Sequence, residues 1–261
     1  MAKLMKKNLV SFSILPFLLV HPAAAADETK LVCRAGPSQN AIVMLFTSDA
    51  SSTCNPALEW MTAQKQKDPQ AGPWQTFVPI AMHVAQWDTS AYKDTRAKKE
   101  FDQILNAYQK NWGAARTYAP TVAVNGVEWS GWSREQDVPR PVGQASGVLS
   151  VSRKEFEDTY TAQFEPDAKL EGPFTLHAAL LSFGVTSRPA EGKNRGKTLL
   201  HDFIALLYQT KDLQPSRSVH TASVEIKVPR ALHAERLAVA FWVTKTGLQV
   251  PLQAAGGYLE R

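Results

Sequence analysis

Sulfur is scarce in this chain. Its 261 residues hold two cysteines, Cys33 and Cys54, and no Cys-x-x-Cys pair. The stretch most suggestive of thiol chemistry is Thr47-Ser48-Asp49-Ala50-Ser51-Ser52-Thr53-Cys54-Asn55-Pro56, which lies between an apolar run and a helical pattern. A strand leading through a polar turn into a helix is where thiol–disulfide enzymes keep their dithiol. Here Cys54 fills the second position and Ser51 the first. Disulfide exchange needs a thiolate to attack and a second thiol to resolve the mixed disulfide, and a serine hydroxyl does neither at neutral pH.

Other absences narrow the function further. Beyond the first twenty residues no apolar run approaches membrane-spanning length. No Lys/Arg run with interleaved aromatics occurs, which argues against a nucleic-acid partner. Internal repeats and low-complexity tracts are missing as well. No nucleophile-elbow sequence surrounds Ser51, so an acyl-transfer role with His83 and Asp88 has little support. Cys54, His83 and Asp88 offer a sulfur, an imidazole and a carboxylate suited to zinc or copper. No two of them have a recognised local metal spacing, so no metal or other cofactor is expected.

The N-terminus reads as an export signal. Lys3, Lys6 and Lys7 precede an apolar core from Leu9 to Val20, and Ala23 to Ala26 supply a cleavage site before Asp27. A periplasmic or secreted location follows, with no membrane association after cleavage. The formal charge of +5 then falls to +2, because the removed segment carries three lysines and no acids. Export favours a disulfide. Its single pairing, Cys33 with Cys54, closes a loop of about twenty residues and contributes about 3 kcal/mol in the chain-entropy model. Two separate thiols are the competing reading.

Ile42 to Phe46 and Phe77 to Val84 read as strands covered on both faces. Asn55 suits a helix N-cap and Pro56 the first helical position. Ala97, Phe101, Ile104, Leu105, Tyr108 and Trp112 recur at helical spacing, with Gly113 placed to end the helix. Thr121 to Val124 and a strand through Val127 and Trp129 flank Asn125-Gly126, a strong hairpin turn. Ser152 and Glu155 form a capping box that predicts a helix through Phe156 and Tyr160. Beyond a turn-rich stretch, Glu165 to Pro173, strand-like segments follow at Phe174 to Val185, Thr198 to Gln209, Ala222 to Val228, Leu237 to Thr244 and Gln249 to Leu259. The expected organisation is a signal over 1–26, an α/β domain over 27–164 and a β-sandwich-like domain over 165–261.

Several blocks resemble the secreted thioredoxin-like family of unknown function 1223. They are Phe46-Thr47-Ser48 with Cys54, Pro56 and Ala57; His83, Val84, Trp87 and Asp88; Tyr118-Ala119-Pro120 with Gly126; and Gly192, Asn194, Gly196 and Leu199. In that family the turn usually carries a cysteine at the position of Ser51, a proline at that of Asn55, and often a threonine at that of Ala119. The resemblance implies a thioredoxin-like α/β domain, a cis peptide before Pro120, and a docking face formed by Ala119, Pro120, Trp87, Asp88 and His83 beside the Ser51, Ser52, Thr53, Asn55, Pro56 turn. It points to a protein- or peptide-binding module with a degenerate Ser-x-x-Cys site. The alternative is a thiol–disulfide oxidoreductase using Cys54 alone, or Cys33 with Cys54.

Overall fold

The computed structural model describes residues 29–259 apart from 68–71, 90–91, 142–143, 156, 230–231 and 233. The expected export signal and the side chain of Phe156 lie outside the described residues. Strands β1 (Thr29–Ala35) and β2 (Ala41–Thr47) precede helix α1 (Asn55–Ala63). Next come β3 (Phe77–His83), α2 (Lys99–Asn111), β4 (Thr121–Val124), β5 (Val127–Glu128), β6 (Gly147–Lys154) and β7 (Thr159–Pro166). The rest is strand: β8 (Phe174–Phe183), β9 (Val185–Ser187), β10 (Leu199–His201), β11 (Ile204–Asp212), β12 (Gln214–Ser216), β13 (Val219–Glu225), β14 (Arg236–Lys245) and β15 (Pro251–Tyr258).

The architecture corrects the expected fold class. The protein is mostly β, not a thioredoxin-like α/β domain followed by a separate sandwich. One eight-stranded sheet runs β15-β14-β8-β11-β3-β2-β4-β5, so strands from both halves of the chain share it. The joint is the parallel contact of β11 with β3, where Ile204 faces Ala81, reinforced by the Ala81 N–H donating to the Phe203 carbonyl at 2.8 Å. A five-stranded sheet, β1-β6-β7-β13-β12, likewise mixes early and late strands.

Burial explains the joining. Along β14, Ala238, Ala240 and Trp242 enter one core while Val239, Phe241 and Val243 enter another. Likewise in β8, Ala179, Leu181 and Phe183 join the first core and Leu176, Ala178 and Leu180 the second. A strand apolar on both faces must be covered on both. Residues of α1 and α2 complete the first core, and Leu149, Val151, Tyr160 and Phe164 of β6 and β7 complete the second. At ~1.5–3 kcal/mol per large apolar side chain removed from water, splitting either core would be costly.

Two local readings also change. The predicted helix at Ser152 is instead the β6–β7 hairpin, with Val151 facing Ala162 and Arg153 facing Tyr160. Inward alternation of Tyr160, Ala162 and Phe164 outweighs a four-residue capping signal. Asn55 does not cap α1; Ser52–Cys54 form a 3-10 turn ahead of it, and Asn55 is already helical. The hairpin at Asn125-Gly126 is present, with φ of 49° and 82° at the two residues, the conformation that suits Asn-Gly.

Candidate functional site

The parallel strands β2 and β3 end side by side, with Thr47 opposite His83. Beside them β4 begins, its Thr121 opposite Phe46. The peptide preceding that strand, Ala119–Pro120, is cis. The polar turn therefore leaves the sheet where two strand C-termini and one N-terminus meet, a place where open sheets commonly form sites.

The turn is closed by its own hydrogen bonds. The N–H of Ser51 donates to the Ser48 carbonyl at 3.3 Å and that of Cys54 to the Ser51 carbonyl at 3.1 Å. Ser51 Oγ is 2.7 Å from Thr53 Oγ1. Cys54 is fully buried, and burial pushes its thiol up, outweighing the Ser48 backbone and the Thr47 and Ser51 hydroxyls that favour the thiolate. Cys33 lies in the second core and is pushed by burial up to about 12. Both thiols are free, so the expected Cys33–Cys54 disulfide is not formed.

The residues read as a docking face separate into two groups. Ala119, Pro120, Trp87 and Asp88 are half-buried, with Ala119 and Trp87 packed on the first core. His83 instead lies fully inside. Its Nδ1 is 2.7 Å from Asp94 Oδ2. Asp94 also accepts the N–H groups of Asp49 at 2.9 Å and Arg96 at 3.0 Å. Asp88 supports this loop by accepting the Asp94 N–H at 3.0 Å.

Around His83 the fold gathers residues that carry no local mark in the sequence. His201 Nε2 is 3.4 Å from Asp49 Oδ1 and 2.8 Å from Ser187 Oγ. Arg96 Nη1 is 3.5 Å from Asp49 Oδ2. Burial would raise the Asp94 carboxyl, but the hydrogen bond and charge of His83, with the two N–H groups, hold it well below the usual range. The Asp49 carboxyl is raised, mainly by burial and also by Asp94, against the opposing effects of His83, Ser187 and Arg96. Ser187 favours the charged form of Asp49, yet neither oxygen of Asp49 completes a hydrogen bond. Burial, then His83 and Arg96, hold His201 down to about 3, so its imidazole is neutral. Serine, histidine and aspartate do not form a catalytic triad here. Ser187 and Asp49 both face Nε2 of His201, while Nδ1, where an orienting carboxylate would sit, has no partner.

A trough of about 460 Å³ starts beside the turn at Pro56 and follows α1 past Trp60 to Trp132 and Glu135. It adjoins a second depression of about 310 Å³ with which it shares Gln64 and Lys67. Trp60 packs on Trp129 with ring centres 5.6 Å apart; both pack on the first core, as does Trp132, and Trp60 and Trp132 also line the trough.

A family model described as a protein of unknown function (DUF1223) matches residues 42–244. The chain belongs to that family. The DUF1223 match spans strands of both sheets, from β2 through β14. No curated protein matches the chain in sequence. Among solved structures it is similar to a structural-genomics crystal structure of a protein from Agrobacterium tumefaciens, with 19% identity and a TM-score of 0.55, covering 86% of this chain and 96% of that one. It is also similar to HBP35 of Porphyromonas gingivalis, with 17% identity and a TM-score of 0.58, covering 86% and 76% of the two chains. At such identities the likeness shows the fold alone. Among the described residues no helix is long and apolar enough to cross a membrane.

Proposed function

We propose that this DUF1223 protein is an exported binding module that holds an extended peptide segment, and that it does not act as a dithiol reductase. The observation that carries the reading is the contrast at the turn: the Cys54 thiol is fully buried, while the trough beside the same turn is open to solvent. Thiol exchange needs an accessible thiolate, and here burial raises the thiol and position 51 carries a hydroxyl. The trough is lined by Trp60 and Trp132 together with Glu59, Glu135 and Lys67. Aromatic side chains with both signs of charge nearby suit a polypeptide, whose ligand groups are mixed in the same way.

The test is selection of peptides from a random immobilised library on the chain from residue 27, followed by titration of tryptophan fluorescence. Selected peptides are expected to lose at least tenfold in affinity on Trp132→Ala, with the circular dichroism spectrum unchanged. An unchanged peptide profile in that variant, or reduction of insulin that disappears in Cys54→Ala, would overturn the reading.

A further inference from the structure

Beneath the turn, and separate from the trough, three side chains from distant parts of the chain converge. Asp49 follows β2, His83 ends β3 and His201 ends β10. One donor atom from each lies within 4.8 Å of the other two. Oδ1 of Asp49 is 3.4 Å from His201 Nε2 and 4.0 Å from His83 Nδ1. Two ligands held tetrahedrally on one zinc ion at about 2.0–2.2 Å are about 3.3–3.6 Å apart. Asp49 and His201 already stand at that separation, and His83 lies a few tenths of an ångström beyond it from Asp49.

The hydrogen-bond inventory points the same way. Both carboxylate oxygens of Asp49 are buried without a hydrogen-bond partner. Asp49 is 1% exposed and both histidines 0%. Buried charges are normally paired in good geometry or coordinate a metal. Arg96 is a poor substitute, since Nη1 stays 3.5 Å from Asp49 and Nη2 donates to the Thr186 carbonyl at 3.0 Å.

Each imidazole also has one nitrogen engaged and one unengaged. Asp94 holds His83 through Nδ1 at 2.7 Å, and Ser187 holds His201 through Nε2 at 2.8 Å. These engaged nitrogens are the ones that face Asp49, so an ion held by all three residues takes them over from Asp94 and Ser187. Asp94 is fixed in turn by two backbone N–H groups. Hard cations such as calcium and magnesium select oxygen cages, whereas two imidazoles with one carboxylate suit zinc and its neighbours.

We propose that Asp49 Oδ1, His83 Nδ1 and His201 Nε2 bind one divalent first-row transition ion of the zinc class. The experiment uses the untagged chain from residue 27, stripped with a chelator, loaded with Zn²⁺ and freed of excess metal. One retained zinc per chain is expected, with a higher Tm than the stripped protein. X-ray absorption of the loaded protein is expected to show two imidazoles and no sulfur around the metal. Asp49→Asn should weaken Zn²⁺ by more than about 100-fold. No retained zinc with an unchanged Tm would show instead that shared protons and Arg96 close the cluster. Retained zinc that has sulfur in its first shell, or that Asp49→Asn does not weaken, would place the metal elsewhere and overturn the proposal. If Asp49→Asn does not fold, the absorption spectrum of the native sequence decides.

Discussion

Asn55 and Asn194, 139 residues apart, are joined by reciprocal amide hydrogen bonds of 3.0 and 3.2 Å. Asn194 donates a further bond, 2.9 Å long, to the Asp49 carbonyl. One fully buried amide thus ties the loop after β9 to the start of α1 and to the residue at the centre of the buried cluster. The helix-capping role suggested for Asn55 is replaced by this cross-chain pair.

Asn194→Ala removes three hydrogen bonds and leaves the Asn55 amide and the Asp49 carbonyl short of partners. A loss of about 1–3 kcal/mol is expected, read as a lower urea midpoint with an unchanged slope. A midpoint equal to that of the native sequence would mean that these bonds contribute nothing net.

The thiols give a second test. Cys54 is 0% and Cys33 8% exposed, and no disulfide joins them. A thiol reagent at pH 8 should find almost no reaction in the folded protein and two reactive thiols in denaturant without reductant. Immediate labelling of Cys54 in the folded state would contradict its enclosure. The absence of titratable thiols in denaturant would contradict the free pair.

Acid sensitivity should have an identifiable source. His177 is buried against Trp242, bonded to Tyr208 at 2.8 Å and to Thr244 at 2.9 Å, and burial lowers it to about 4. An unfolded histidine titrates near 6.5, so the unfolded chain takes up this proton first as pH falls. Stability is therefore intact above about 6.5 and declines toward pH 4, by about 3 kcal/mol for this group. Asp94, whose carboxyl is lowered, acts in a different window: its contribution is present above the unfolded value of about 4 and lost below it. Measured with a chelator present, His177→Gln should flatten the decline between pH 6.5 and 4. An equally steep decline in the variant would assign the effect elsewhere, His201 being the next buried neutral histidine.

Continuity of the sheets predicts the behaviour of fragments. Residues 27–164 alone would leave β3 without β11 and β7 without β13. That fragment is expected to show poorly dispersed amide resonances. A well-dispersed, cooperatively unfolding fragment would show that the first half folds without the second.

The local sequence was sufficient wherever one short segment carries its own pattern. The apolar runs of β2 and β3, the helical spacing of α2 and the Asn125-Gly126 turn were legible because period and turn chemistry are properties of neighbouring residues. The Ser152 capping box misled because its four residues compete with an eight-residue alternation whose partner strand decides the outcome.

The candidate site was far less legible. His83 stood out, but as part of a surface with Trp87 and Asp88, and nothing in the Leu-Leu-His sequence of 199–201 marks His201. Its relation to Asp49 exists only because β9 and β10 bring Ser187 opposite Leu199 and His201 opposite Val185, beside the ends of β2 and β3. The sequence by itself determined the two-cysteine inventory, the serine at position 51 and the apolar segments that must be buried. Tertiary structure decided that these segments form shared sheets, that the Cys54 thiol is enclosed, and that a carboxylate and two imidazoles meet beneath it. The reason is physical: burial and pairing partners lie far apart along the chain, and an acid short of hydrogen bonds is marked as such only when its surroundings have excluded water.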